Sequence, residues 1–504
     1  MNNEGNGAHD ISGTPGSPGV PPQPAPTTGP FAPQGSPDGA YGALPNPYGS
    51  PEGQGAYGFP QGQSPRPSVP PLPAYAPAPG ETPHFPEMPA SPSQWRYRAP
   101  AVPSWWHRHN RTVRILTVVA LLTLSALTIF AMVREQTGTA GMFVGLSLSV
   151  LPVPLLVAAF RWIDGVEPAP WREHAFAFCW GAFAATLVAL LVNSAGTNWL
   201  AGSAAHADVL GATVIAPVVE ETAKSCAILL LFLFRRRSFD GVVAGLAVAG
   251  ITATGFAFTE NVLYLGTAFG EDQLLSPNAL NESVTLSTFF VRIVLSPFAH
   301  PMFTSLTGIA FGIVAALPTK GRPFRAAVPL LGLLTSALLH AIWNGSASLP
   351  ALTFLAVYAL FVLPVLATLV WLAVWSRRNE LRTVRETLPS YAAAGWFGPA
   401  EPWSLGSMRA RALARNQVRR THGPQATRTL AEYQHFATTL ALLRARTNHG
   451  APTPDFHARE QELLHHLWTR RALSAPPTVS AGVALNRPRV PAAWVPAAGW
   501  NGQR

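Results

Sequence analysis

Between about residues 113 and 376 the chain is a succession of long apolar runs separated by short polar stretches. Eight runs fall at about 113–133, 140–160, 175–195, 209–234, 241–268, 284–317, 326–345 and 351–376. Each is close to the ~20 residues a helix needs to cross a hydrocarbon core. The pattern predicts an all-α polytopic membrane protein with about eight transmembrane helices. The sixth run is too long for one straight helix and contains "SPFAHPMF", so Pro297 and Pro301 are expected to break or kink it.

On either side the pattern changes. Residues 1–103 are dominated by Pro, Gly, Ser, Ala and Gln, as in "GTPGSPGVPPQPAPTTGPFAPQGSPDG". They hold too little aliphatic surface to offset the entropy of ordering and are expected to be disordered. The first thirty residues show no basic start followed by an apolar run, so the first span itself is expected to direct export. Beyond 376 the apolar spacing suggests three helices, near 403–420, 427–445 and 456–472, as a small appendage or as surface-lying helices. The resulting division is 1–103 disordered, 104–376 membrane domain, 377–475 basic helical tail and 476–504 disordered Pro-rich end.

Arginines orient the spans. Arg108, Arg111 and Arg114 precede the first; Arg161 and Arg172 follow the second; Arg235, Arg236 and Arg237 follow the fourth; Lys320, Arg322 and Arg325 follow the sixth; Arg377 and Arg378 follow the eighth. Lys and Arg mark the cytoplasmic side, so a multi-pass protein of the cell membrane with both termini cytoplasmic is expected. Formal charge is +10, most of it in the tail as in "SMRARALARNQVRRTHG". Directly after a membrane domain, anionic lipid headgroups account for that excess more simply than nucleic acid. The two cysteines, Cys179 and Cys226, lie within spans and form neither a disulfide framework nor a CxxC metal pair.

Four stretches then break the apolar pattern from inside: "EETAK" (Glu220, Glu221, Lys224), "GFAFTEN" (Glu260, Asn261), "SPFAHP" (His300) and "HAIWN" (His340, Asn344). Residues four apart share a helix face, so Glu220 lies beside Lys224 and His340 beside Asn344. Counting ~1.5 Å per residue along the assigned directions puts all four stretches between the midplane and the outer face. A charge in hydrocarbon costs roughly 2.5–3.5 kcal/mol even on lenient scales, which favours one shared polar cavity over several separate penalties. Glu220 or Glu221, His300 and His340 are therefore expected to meet within roughly 3–6 Å, the reach of a water or an ion.

Individually these groups have ordinary explanations: a neutralised Glu–Lys pair, packing histidines, and asparagines that join helices. Arg292, in the sixth span, is expected to snorkel or to pair with a carboxylate. Together, carboxylates, imidazoles and carboxamides at similar depth supply what activation of water needs: a base, polarising groups and donors for an oxyanion. A proton- or cation-coupled transporter uses similar groups, and a non-catalytic membrane scaffold with two cytoplasmic flanks is a third reading.

In this order and on successive spans, "EETAK", "FAFTEN", the "AHP" histidine and "HAIWN" resemble the motif set of the PrsW family of intramembrane proteases, relatives of the CAAX prenyl endopeptidase and bacteriocin-processing group. The resemblance covers roughly residues 140–376. The wider group carries EExxxR and FxxxH, whereas this chain has Lys224 and Glu260, which fits the PrsW branch. The resemblance implies an endopeptidase that cuts a single-span, membrane-anchored protein such as an anti-sigma factor near the outer face. It implies that Glu220, Glu221, Glu260, His300 and His340 are catalytic, with Lys224, Asn261 and Asn344 in support. With a divalent metal such as zinc, His300, His340 and Glu260 would form a two-histidine, one-carboxylate site. Without one, Glu and His would activate water directly; no HExxH helix decides between these.

Overall fold

The computed structural model describes residues 86–89, 105–201, 207–236, 238–275, 282–317, 320–448 and 455–486, and every regular element among them is helical. Apart from 86–89, the expected disorder before residue 104 concerns residues outside this set, as does the chain beyond 486.

Helix α1 (Trp105–Ser149) is broken at Gly138, whose φ of +68° is cheap only without a Cβ. Ile129 and Val133 before the break and Met142 after it share one buried cluster with Val262 and Leu263. Then come α2 (Val153–Ile163), α3 (171–201), α4 (207–234), α5 (Val242–Leu275), α6 (284–295), α7 (Ala299–Ala316), α8 (Arg322–Ala347) and α9 (351–393). Four of these contain a π turn, at Trp180–Ala185 in α3, Gly211–Ile215 in α4, Phe290–Leu295 in α6 and Tyr358–Val362 in α9.

Six stretches are long and apolar enough to cross a membrane: Thr112–Val166, Trp171–Gly196, Val242–Leu275, Val284–Ala316, Arg322–Ala347 and Ala351–Ala393. The protein is a multi-pass membrane protein. The count differs from eight for two reasons. Thr112–Val166 takes in two of the apolar runs, and any part of α4 long enough to span contains Glu220, Glu221 and Lys224 together. Of the two prolines expected to break the sixth run, Pro297 lies in the gap between α6 and α7. Pro301 instead sits in the first turn of α7, where its missing N–H removes no helix bond.

Buried along most of its length, α5 is the centre of the membrane domain. Small residues bring its neighbours close: a Cβ on Gly245 would lie 2.1 Å from the Gly308 carbonyl oxygen of α7, so the two backbones touch. That contact holds together the two helices that present Glu260 and His300.

At the end of the membrane domain α9 does not stop near 376 but runs on to Ala393 and joins a second core with α10 (Glu401–Leu405), α11 (Met408–Asn448) and α12 (Phe456–Asn486). Val384, Leu388, Tyr391, Leu405, Tyr433 and Leu440 are fully buried in it. The tail is thus a packed helical domain, and its last helix continues past residue 475. Gly423, at φ +81°, breaks α11 where the sequence suggests a gap between two helices. Several basic residues of the tail turn inward: Arg444 pairs with Glu460, and Arg411 donates to Val166 O (3.0 Å), Leu405 O (2.5 Å) and Thr438 Oγ1 (2.7 Å). The ion pair of Arg446 with Asp240, at 2.7 Å, ties α11 to the turn between α4 and α5.

Candidate active site

Four helices meet at one buried polar centre. In α4, Glu220 and Glu221 share a turn with Lys224, so the i+3 and i+4 spacings aim both carboxylates at one ammonium: Nζ lies 2.8 Å from Glu221 Oε1 and 3.4 Å from Glu220 Oε2. Its third N–H reaches His300 Nδ1 of α7 at 3.1 Å, which uses all three donors. The ammonium also lies over the Phe256 ring of α5, 3.9 Å from its centroid. Lys224 and Glu221 are completely buried, and Glu220, His300 and His340 nearly so.

Glu221 is engaged through both of its oxygens. Oε1 faces Lys224 and, at 3.1 Å, His340 Nδ1 of α8; Oε2 accepts from Thr304 Oγ1 at 2.8 Å and lies 2.7 Å from Ser336 Oγ. Glu220 is not: beyond Lys224 its nearest polar neighbour is His340 Nε2, 3.8 Å from Oε2, and Oε1 has no hydrogen bond among the described residues. At the more open end, Glu260 Oε2 lies 2.6 Å from His300 Nε2 and accepts from Arg292 Nη2 of α6 at 2.6 Å. The Arg292 Nε donates to Asn261 Oδ1 at 2.7 Å, and its guanidinium covers the Tyr264 ring at 3.9 Å.

Both imidazoles are held in the same way. A carboxylate can only accept, so His340 Nδ1 donates to Glu221 and His300 Nε2 donates to Glu260, which leaves His340 Nε2 and His300 Nδ1 as acceptors. The rings pack edge to face with centroids 5.0 Å apart, and His340 stacks on Phe303 at 4.8 Å. Glu220, His300 and His340 present donor atoms that all lie within 4.8 Å of one another.

A divalent metal fits this donor set. Two neutral imidazoles and a carboxylate match a catalytic zinc site, and each imidazole has its other nitrogen on a carboxylate, the arrangement that orients metal-bound histidines. Three carboxylates also face two fixed cations, Lys224 and Arg292, which leaves negative charge for an ion. The carboxylate of this set is Glu220, whereas the sequence reading named Glu260; Glu260 instead pairs with His300 and Arg292. His300 Nδ1 has one lone pair, so Lys224 and an ion are alternatives there.

Of the residues singled out in the sequence, Glu220, Glu221, Lys224, Glu260, His300 and His340 come together, and Asn261 joins them through Arg292. Asn344 does not; its amide donates to Ala212 O at 2.9 Å, within the π turn of α4, and fastens α8 to that helix. Thr304 and Ser336 are additions. Each lies four residues from a histidine, His300 and His340, so the shared helix face is the signal that would have found them.

A polytopic helical membrane protein with carboxylates and imidazoles enclosed at its centre has the make-up of an intramembrane hydrolase. Residues 169–384 match the PrsW family intramembrane metalloproteases. That match supports a protease, and so favours the enzyme among the three possibilities raised by the sequence. No curated protein and no solved structure matches the chain.

Proposed function

We propose that the chain is an endopeptidase that cuts a single-span, membrane-anchored protein near the outer face of the cell membrane, with Glu220 as general base and both of its own termini cytoplasmic. The observation that carries this reading is the contrast at "EE": Glu221 is hydrogen-bonded through both oxygens, to Lys224, His340 and Thr304, whereas Glu220 keeps Oε1 unengaged beside two oriented histidines. Glu220 Oε1 takes a proton from water as the resulting hydroxide adds to the scissile carbonyl carbon. It returns that proton to the departing nitrogen as the C–N bond breaks. Glu221 and Glu260 fix the orientation of His340 and His300, and Lys224 balances the two glutamates. His340 Nε2, His300 Nδ1 and Glu220 Oε2 would hold a divalent ion, zinc by donor type, which when bound polarises the carbonyl and acidifies water. Anti-sigma factors are the substrate type this reading favours. The test is purified protein reconstituted with candidate single-span proteins, with and without a chelator, together with elemental analysis. A specific cut, lost on chelation and restored by zinc, is expected; a specific cut at an undiminished rate from metal-free protein would remove the ion from the account.

A further inference from the structure

Within the N-terminal Pro-rich region the described residues are Pro86, Glu87, Met88 and Pro89. This stretch lies on the turn that follows α9. Met88 N donates to Ala394 O at 3.0 Å, and Trp396 Nε1 donates to Pro86 O at 2.5 Å, so the stretch is fastened through its own backbone at two points. The Met88 side chain packs on the core of the C-terminal domain, and Arg471 Nη1 lies 3.0 Å from its sulfur. Gly395, at φ +89°, passes directly beneath it: a Cβ there would lie 3.5 Å from Met88 Cβ. Glu87 alone of the four is exposed.

These are the features of peptide recognition by a preformed site. The two prolines have no N–H to satisfy and fixed φ, and Met88 is biased to an extended conformation by the proline after it. Little entropy is therefore lost on docking, while an aromatic N–H reads a proline carbonyl, as in other proline-rich ligands. Methionine supplies a flexible, polarisable side chain that fills an irregular gap.

We propose that the turn after α9 is a receptor for an extended, proline-flanked methionine peptide, and that its occupant is the chain's own residues 86–89, bound in cis. The connection permits this. Pro89 and Trp105 are separated by residues 90–104, and sixteen residue steps reach at most about 55 Å when extended. A tether of that length holds the motif at an effective concentration on the order of millimolar, enough to fill a site of modest affinity. The acceptor carbonyl, Ala394, directly follows the helix that leaves the membrane domain, so docking joins the N-terminal region to the end of α9.

Two measurements on the full chain test this. Photo-methionine, which replaces the methionine side chain with a diazirine of nearly the same shape, is incorporated and irradiated in a mixture of light and heavy isotope-labelled protein. Cross-links from position 88 to residues 394–396 or 468–471 within chains of one isotope are expected. Their absence, or cross-links joining light to heavy chains, would overturn docking in cis. A fluorescent peptide of residues 82–93 is also titrated into wild-type protein and into the Met88→Asp variant. The variant, with its site vacated, is expected to bind the peptide at least ten-fold more tightly than wild type; equal binding, or none to the variant, contradicts the proposal.

Discussion

Glu220 and Glu221 are adjacent in sequence and meet opposite surroundings, which divides their roles. Glu221 neutralises a completely buried ammonium and accepts from three helices at once, so its loss is first a loss of stability. Removing one partner of a buried pair costs about 3 kcal/mol. Glu221→Gln is therefore expected to lower the melting temperature in detergent by several degrees, whereas Glu220→Gln, which weakens only the long 3.4 Å contact with Lys224 and the 3.8 Å approach to His340 Nε2, leaves it nearly unchanged. Equal melting of the two variants would deny the division. At this scale the sequence exposed the charged members of the centre, because charge inside an apolar run has no cheap explanation. Thr304 and Ser336 were hidden, since hydroxyls are common in membrane helices and usually bond their own backbone, as Ser305 does to Pro301 O.

Elements carry the next level of the design. The π turns of α3 and α4 adjoin the centre: Trp180 starts the first and its indole donates to Ala223 O at 3.0 Å, beside Lys224, while Asn344 caps a carbonyl in the second. Such turns leave no mark in hydrophobic periodicity and were not legible; the apolar runs were, except where α4's charges and the Gly138 break complicate their count. The loop between α2 and α3 provides a pH test of how the C-terminal domain is seated. Glu167 accepts from Thr439 Oγ1 at 2.5 Å, while Oε2 is buried with no partner among the described residues. Burial, reinforced by the Asp240 carboxylate, pushes its carboxyl up to about 8 from an ordinary 4.5. Between those values the folded protein holds a proton that the unfolded chain has lost, so this group makes stability fall as pH rises from 4.5 through 8. Glu167→Gln is expected to melt above wild type at pH 8 and to lose less stability between pH 6 and 8. A wild-type pH slope in the variant would place the effect elsewhere.

Over the whole molecule, the buried polar centre and the second core are separate. Every residue of the centre lies between Glu220 and His340, whereas Val384, Leu388 and Tyr391 are buried only in the second core. A chain limited to about residues 104–380 is expected to keep the specific cut and to melt lower; a folded truncation without activity would give the C-terminal domain a part in the chemistry. Reporter fusions at 103, 238, 320 and 380 should report cytoplasm and those at 275 and 348 the exterior, as the arginine distribution demands; a cytoplasmic signal at 275 would reverse the proposed outward-facing site. The second core was only partly legible, because its helices were visible in the apolar spacing while the inward turn of Arg411 and Arg444 was not. The docking of Met88 was concealed in a region whose average composition argues against any packing. The most direct test of the central claim is the cleavage rate of Glu220→Gln against wild type on one reconstituted membrane-anchored substrate, with folding checked by circular dichroism. Loss of a general base predicts a rate at least ~100-fold lower in a fully folded variant; cleavage at the wild-type rate would contradict a hydrolytic centre built on Glu220.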